Sequence, residues 1–396
     1  MNLTREITYQ NNLSKKKKNL NIIKKSLSSL IKNKNEIIKS LSQDYKNSYS
    51  KQNLKKFIKK NLPIRLIGMG GSSLGFKAIY SFLSNKIKKR VIFYDNLENL
   101  TKQKSKKKFL NLIISKSGNT IETIVNANLL IKKSDQNIFI TENKLNYLKE
   151  LANKLKSEIV HHNNYIGGRY SVLSEVGMLP AELVGLKTEN FKQFNKLIKN
   201  KIFLKTLINN VSSIVYLQKK KKFNSIILNY DKNSENFFLW YQQLVAESLG
   251  KKSKGMLPII SNMPKDNHST MQLYLDGFNN NFFTFFYVSE KNSNKILNKS
   301  ILEEKNYLKN KTIQEIKFYQ KLATENVFLK KKIPFRSFDI KRRNENTLGC
   351  LFSFFILETI LLGNFLNINP YDQPSVELIK KETKKILIQK TKINFR

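Results

Sequence analysis

The run Leu110-Asn111-Leu112-Ile113-Ile114-Ser115-Lys116-Ser117-Gly118-Asn119-Thr120-Ile121-Glu122-Thr123 changes texture halfway along. Its first five residues are apolar apart from Asn111, as in a buried strand, and the remainder is a hydroxyl-rich turn running into a helix start. Strand, turn and helix in that order predict half of a βαβ unit. Ser115, Ser117, Thr120 and Thr123 set hydroxyls where the helix begins, and helix N-termini offer unpaired N–H donors and a positive dipole end. One reading is a cradle for a phosphate monoester. The other is an ordinary capping box, with Ser117 or Thr120 as N-cap and Glu122 nearby. The segment alone leaves both open.

Upstream, Pro63 precedes a short apolar run, Ile64-Arg65-Leu66-Ile67, then the glycine-rich turn Gly68-Met69-Gly70-Gly71-Ser72-Ser73-Leu74-Gly75 and a helix through Phe76 to Leu83. Further strands are expected at 90–94, 110–114 and 136–140, separated by helix-length segments. This alternation predicts a doubly wound α/β domain over about 60 to 160, with ligands at the carboxyl ends of its strands. Both special turns fall at such ends. The glycine turn is not G-x-G-x-x-G, and no Gly-Lys-Ser/Thr closes it as in a Walker loop. Its spacing permits close backbone approach to a ligand at Gly71, with Ser72 adding a hydroxyl.

Downstream, Gly167-Gly168-Arg169-Tyr170-Ser171 holds an arginine behind two glycines, a placement that suits an anion or oxyanion as well as a solvated surface turn. The alternation then resumes: strands at 224–229, 256–261 and 282–288, helices at 234–249 and 269–276. The fold class is therefore α/β, two doubly wound domains with parallel-sheet cores. Expected boundaries are 1–62 for N-terminal amphipathic helices, 63–200 and 201–335 for the two domains, and 336–396 for a C-terminal helical segment. Glu247 sits at a helix C-terminus, where a carboxylate lacks dipole compensation, and His268 sits at a helix start. Capping or core packing is the ordinary role of such a histidine.

A chain of 396 residues is long enough for more than one buried core. The single cysteine, Cys350, rules out an internal disulfide, and three histidines leave no zinc-like spacing, so a reducing, cytoplasmic setting and no metal are expected. The formal charge of +43 would ordinarily suggest nucleic acid or an anionic membrane. Here lysine is spread along the whole chain with abundant Asn and Ile, the drift of an AT-rich coding sequence. Arginine forks and clustered aromatics are missing, so specific nucleic-acid binding is not expected. Residues 13–60 show helical apolar spacing in lysine-rich surroundings, whose lysine runs read as solvated faces. The polar start, Met1 to Asn12, lacks a signal-peptide core. The apolar stretch Leu348 to Leu366 contains Ser353, Glu358, Gly363 and Asn364, which points to a buried core helix rather than a membrane span.

Taken in order, Ile67 to Gly75, Ser115 to Thr123, Gly167 to Ser171, Glu247-Ser248 with Gly250-Lys251, His268-Ser269, Thr347-Leu348-Gly349 with Phe352, and Asn369-Pro370-Tyr371-Asp372-Gln373-Pro374 closely resemble the glucose-6-phosphate isomerase (phosphoglucose isomerase) family, built from two sugar isomerase (SIS) domains. The resemblance spans about Pro63 to Lys380 and is most similar to compact bacterial members. It implies aldose-ketose isomerisation of glucose 6-phosphate and fructose 6-phosphate, with no cofactor. By resemblance, Ser115, Ser117, Thr120 and Thr123 bind the phosphate, assisted by Gly71, Ser72 and the backbone at Lys116. Glu247 is the base that moves a proton between C1 and C2. Arg169 steadies the enediolate, His268 and Lys380 open the sugar ring, and Gln243 contacts the sugar. The family also implies a homodimer in which His268 reaches the partner's site. Asn119, Ser375 and Ile379 depart from the family's usual residues, which affects fine geometry near Lys380. Two other outcomes fit the same motifs: an isomerase that also accepts mannose 6-phosphate, because C2 epimers share the enediol, and a non-catalytic SIS module that senses sugar phosphates.

Overall fold

The computed structural model describes residues 2–14, 19–99, 108–296 and 307–393. Its strands are β1 (Ile7–Asn12), β2 (Ile64–Ile67), β3 (Val91–Tyr94), β4 (Leu110–Ile114), β5 (Gln136–Thr141), β6 (Glu158–His161), β7 (Asn224–Asn229), β8 (Leu257–Asn262), β9 (Asn281–Val288) and β10 (Phe335–Ile340). They form two five-stranded sheets, ordered β3-β2-β4-β5-β6 and β1-β10-β9-β7-β8. Every pairing is parallel except that of β1 with β10. Parallel strands buried on both faces need continuous apolar runs, and β2 and β4 are buried at every position.

The two sheets share one winding. In each, the first parallel strand (β2 or β7) lies inside, the second (β3 or β8) flanks it on one side, and the third (β4 or β9) on the other. The strand order therefore reverses between β2 and β4, and again between β7 and β9. Register places Ile64–Ile67 opposite Leu110–Ile113, so the glycine turn and the hydroxyl turn leave the sheet side by side. That crevice is where doubly wound sheets bind ligands.

β1, β6 and β10 were not among the strands expected from sequence. β1 lies within the segment expected to be helical: Ile7 and Tyr9 point inward, too brief an alternation to read before β10 is present to pair with it. β10 crosses the expected 335/336 boundary, and its apolar pattern is interrupted by Arg336, which is fully buried. The helix expected over 269–276 is present as Met271–Asp276, and a short 3-10 turn, Lys265–His268, precedes it. Helix Leu20–Lys32 turns Ile23 and Leu27 to the core, while the lysines at 15–18 lie outside the described residues.

Helix Glu345–Phe365 is the central pillar, with almost every side chain from Glu345 to Gly363 buried. Asn344 caps it, its Oδ1 accepting the Thr347 amide at 2.8 Å. A helix apolar on all sides and enclosed by protein is a core helix. Cys350 lies on it, and burial pushes its thiol up to about 12, which removes it as a nucleophile. Deeper still, Arg336 on β10 donates to Glu358 on this helix, to Asn210 Oδ1 (3.1 Å) and to Thr284 Oγ1 on β9 (2.9 Å). Tyr241 donates to Glu358 at 3.1 Å and Tyr9 on β1 to Asn210 at 2.7 Å, so one buried network ties the β1 edge, β10 and β9 of the second unit to helix Glu235–Leu249.

Candidate active site

At the end of β4 the hydroxyls do not form a capping box. Thr120 is the N-cap of helix Ile121–Leu130, yet its side chain accepts no helix amide. Its Oγ1 pairs instead with Ser115 Oγ at 2.9 Å, while Ser117 Oγ accepts the Asn119 amide at 3.3 Å. Among the described residues, the amides of Ile121, Glu122 and Thr123 therefore donate to nothing, and neither do those of Lys116 and Ser117. Thr123 Oγ1 is buried and has no hydrogen-bond partner among the described residues. Buried hydroxyls are normally satisfied, so an orphan beside open amides marks a place for an acceptor-rich guest. Gly118 makes the turn at φ 66°, and a Cβ there would sit 1.9 Å from Asn146 Oδ1. The Lys116 ammonium is turned away, donating to Asn164 O at 2.7 Å and lying 3.5 Å from Glu142.

The glycine turn shows a different use from the one expected. A Cβ on Gly71 would lie 2.2 Å from the carbonyl carbon of Gly168, so its close approach is to the backbone of the arginine turn rather than to a guest. Ser72 is half-buried, with no side-chain partner among the described residues. Gly70, at φ 53°, faces Gln243 Nε2.

Arg169 is the best-anchored residue in the crevice. It is 1% exposed, and each of its N–H groups has an acceptor. Nε donates to Ser248 Oγ (2.8 Å), Nη1 to Gln373 Oε1 (2.7 Å) and Glu247 Oε2 (3.1 Å), and Nη2 to the carbonyls of Pro370 (2.7 Å) and Asp372 (3.0 Å). Its own carbonyl accepts from Trp240 Nε1 at 3.0 Å. Tyr170 adds a ring 5.1 Å from the guanidinium and donates to Pro370 O, and burial pushes its phenol up to about 12, so it remains a neutral donor. A buried guanidinium tolerates loss of water only when its donors are matched, and here they are.

Glu247 closes the group. Its side chain keeps 29% exposure, with Oε2 held by Arg169 and Oε1 by Gln243 Nε2 at 2.8 Å. Gln243 and Glu247 meet because they are one turn apart on helix Glu235–Leu249. The carboxylate is thus fixed in orientation but open on one side. Lys251, just past that helix, clips down the 369–372 loop through Asp372 Oδ1 at 2.7 Å, and its ammonium holds the Asp372 carboxyl below the usual range.

The structure thus brings Arg169, Glu247 and Gln243 together, with the cradle hydroxyls on the neighbouring strand end. It does not bring His268 or Lys380 to them. His268 is exposed after β8, and Lys380 Nζ donates to Glu377 (2.6 Å) on the exposed helix Pro374–Ile393. Neither makes a hydrogen bond or ion pair with Arg169 or Glu247 among the described residues. Sequence reasoning assigned no role to Gln373, Ser248, Tyr170 and Lys251, though all lie within the quoted motifs. The signal was there in the run 369–374, which has no periodicity and so no packing reason for its polar residues.

The phosphoglucose isomerase family model matches residues 4–274. The chain is 34% identical over 352 residues to the glucose-6-phosphate isomerase of Methanocaldococcus jannaschii, covering 83% of this chain and 86% of that one. It is 32% identical over 353 residues to the glucose-6-phosphate isomerase of Mycoplasmopsis pulmonis, with 82% of each covered. Among solved structures, a hypothetical protein from Thermus thermophilus matches with a TM-score of 0.81 at 22% identity over 93% of this chain and 95% of that one. A glucose-6-phosphate isomerase from Chlamydia trachomatis matches at 0.75 and 16% identity over 98% and 89%, and these two likenesses show a shared fold. The extent of the family match and identity above 30% across most of both sequences lead to one conclusion: the chain belongs to the phosphoglucose isomerase family.

Proposed function

We propose that this protein interconverts glucose 6-phosphate and fructose 6-phosphate by proton transfer through a cis-enediol. The observation that carries the reading is the Arg169–Glu247 contact, a carboxylate of fixed orientation beside a buried cation at the mouth of a hydroxyl-lined crevice. The phosphate would take the open amides at 116–123 and the hydroxyls of Ser115, Ser117, Thr120 and Thr123, with Ser72 across the crevice. Glu247 removes the C2 proton of the open-chain aldose as the carbonyl electrons move to O1. The resulting enediolate is neutralised by Arg169, the O2 hydroxyl proton passes to O1, and the same carboxyl returns its proton to C1 as the O2 electrons form the carbonyl of the ketose. Gln243 keeps the carboxylate aimed.

Ring opening is assigned to Lys380 and to the partner subunit's His268, which requires a homodimer. Helix Pro374–Ile393 supports that assembly, since Leu378, Ile379 and Ile386 stand exposed along one side of it, an apolar surface that a second copy would cover. A cytoplasmic, glycolytic setting fits a chain with one buried, unpaired cysteine. The mounting of Glu247, Arg169 and Gln243 as a unit favours catalysis over mere sensing of sugar phosphates. A coupled assay of fructose 6-phosphate conversion in EDTA tests the reading: turnover is expected, whereas well-folded protein with none overturns it, and dependence on added metal redirects it.

A further inference from the structure

The second sheet has a reversal of strand order like the first, between β7 and β9, and nothing in the proposed reaction uses it. A hollow of about 520 Å³ accessible to water opens there. It is lined by Asn233 after β7, Ser289 to Asn292 after β9, Lys341 to Asn344 after β10, and Asn85 and Lys86 from the first unit. These are the loops at the carboxyl ends of parallel strands, the topological counterpart of the place where the first sheet sets its hydroxyl cradle. A hollow of this size suits a small molecule rather than a polymer.

Its charges are sorted. The acids of the floor are both ion-paired, because Arg343 binds Asp231 Oδ1 at 2.7 Å and Glu290 Oε1 at 3.0 Å, so that group carries one net negative charge that the free cations above it outnumber. Asp231 is held in turn by Ser234, and Arg343 lies 4.8 Å from the Phe82 ring, so the arginine is fixed in place. On the first-unit wall, Lys86 is paired with Glu345 at 2.5 Å. The remaining cations, Lys291, Lys341 and Arg342, are exposed and have no ion pair among the described residues, while every acid in or beneath the hollow is already bound to Arg343 or Lys86. Two of the three are adjacent at the end of β10 and the third follows β9, so they converge on the hollow from neighbouring strands of fixed register.

We propose that this hollow is a second binding site, for a phosphate-bearing small molecule, separate from the Glu247 crevice. Surplus cations on a concave surface whose acids are all ion-paired favour a compact anion, and Arg342 supplies the planar fork that suits phosphate oxygens. Because the whole chain is basic, the test must separate a shaped site from general attraction.

The experiment is calorimetric titration of the full-length protein at physiological salt with inorganic phosphate and, separately, tripolyphosphate. The variants are Lys341→Ala/Arg342→Ala, the cradle variant Thr123→Val, and a charge-matched control, Lys219→Ala/Lys220→Ala, on a distant helix end. Wild type is expected to bind two equivalents per chain. Lys341→Ala/Arg342→Ala should weaken one of them about tenfold or more, as loss of charge-assisted bonds implies, and leave isomerase turnover intact. Thr123→Val should weaken only the other. A single equivalent in wild type, an isotherm unchanged by Lys341→Ala/Arg342→Ala, or an equal effect of the control pair would overturn the proposal. Tighter binding of tripolyphosphate than of phosphate at the Lys341 site would assign it to polyphosphate chains, and the reverse to monoesters. Loss of turnover in the cradle variant reports on the catalytic reading alone, so the two can fail independently.

Discussion

Arg169 Nη1 donates to Glu247 Oε2 across 3.1 Å, joining a 3-10 turn that leaves the first sheet to a helix of the second. The contact sets a buried cation beside a carboxylate that retains an open face, so charge neutralisation and proton transfer are available within one side-chain width.

Glu247→Gln keeps an acceptor oxygen for Arg169 and, with the Gln243 amide turned over so that its oxygen accepts, a bond to Gln243, while removing the proposed base. Turnover is expected to fall by ~10² to 10⁴, with affinity for a competitive sugar phosphate little changed. Steady-state kinetics together with inhibitor titration check this, and undiminished turnover would reassign the base.

Gly71→Ala introduces a Cβ 2.2 Å from backbone that cannot yield without moving Arg169. Displacement of a catalytic arrangement by about 1 Å costs on the order of 10²-fold, so kcat/KM should drop by that much. Gly185→Ala is the contrast: its φ of 87° strains a side chain, yet no atom lies within 4 Å, so it should lower stability and spare activity.

The proposed sharing of His268 predicts complementation. Purified His268→Ala and Glu247→Gln proteins should each be nearly inactive. Mixed, unfolded and refolded together, they should recover about a quarter of wild-type turnover, because half of randomly paired C2 dimers carry one intact site. No recovery in a confirmed mixed dimer would place His268 in its own subunit's site or outside catalysis.

In the buried network, Glu358→Ala leaves the Arg336 guanidinium without its carboxylate and should destabilise the protein by about 3–5 kcal/mol. The double variant Arg336→Met/Glu358→Leu removes both charges and should recover much of that loss in denaturant melts. Equal losses would mean that the network is held by Asn210 and Tyr241 rather than by the ion pair.

Lys192 is 5% exposed, its ammonium donating to Ser40 O at 2.5 Å, and burial lowers it to about 7 from its ordinary 10.5. Between those values the unfolded chain binds the extra proton and the folded chain does not, so stability rises with pH across that window. Below about 7 both states are charged and the full cost of burying the cation is present. Lys192→Met should therefore flatten the rise between pH 7 and 10.5 relative to wild type, measured by chemical denaturation at each pH.

The parallel strands other than β6 and β10 were legible from residue order, because strands buried on both faces are mostly apolar: β2, β4 and β9 are buried at every position, and their polar residues are Arg65, Asn111, Asn281 and Thr284. The hydroxyl turn and the motif arginine and glutamate were legible too, since their residue types serve no packing purpose where they stand. Beyond that the chain alone was ambiguous. Whether Thr120 caps its helix or turns to Ser115 depends on which acceptor is nearer once the strand end is fixed, and both have the same local sequence cost. β1 and β10 exist because each supplies the other's hydrogen bonds across more than three hundred residues, and Arg336 is tolerated inside only because Glu358 and Asn210 arrive from two other helices. The close fit of Gly71 against Gly168, the matched donors of Arg169 and the cation-lined hollow at the second reversal are likewise products of separate segments meeting. Local composition determines which segments form strands and helices, because burial and backbone pairing act on a few neighbours at a time. Only the tertiary structure decides which polar atoms are answered and which are left open.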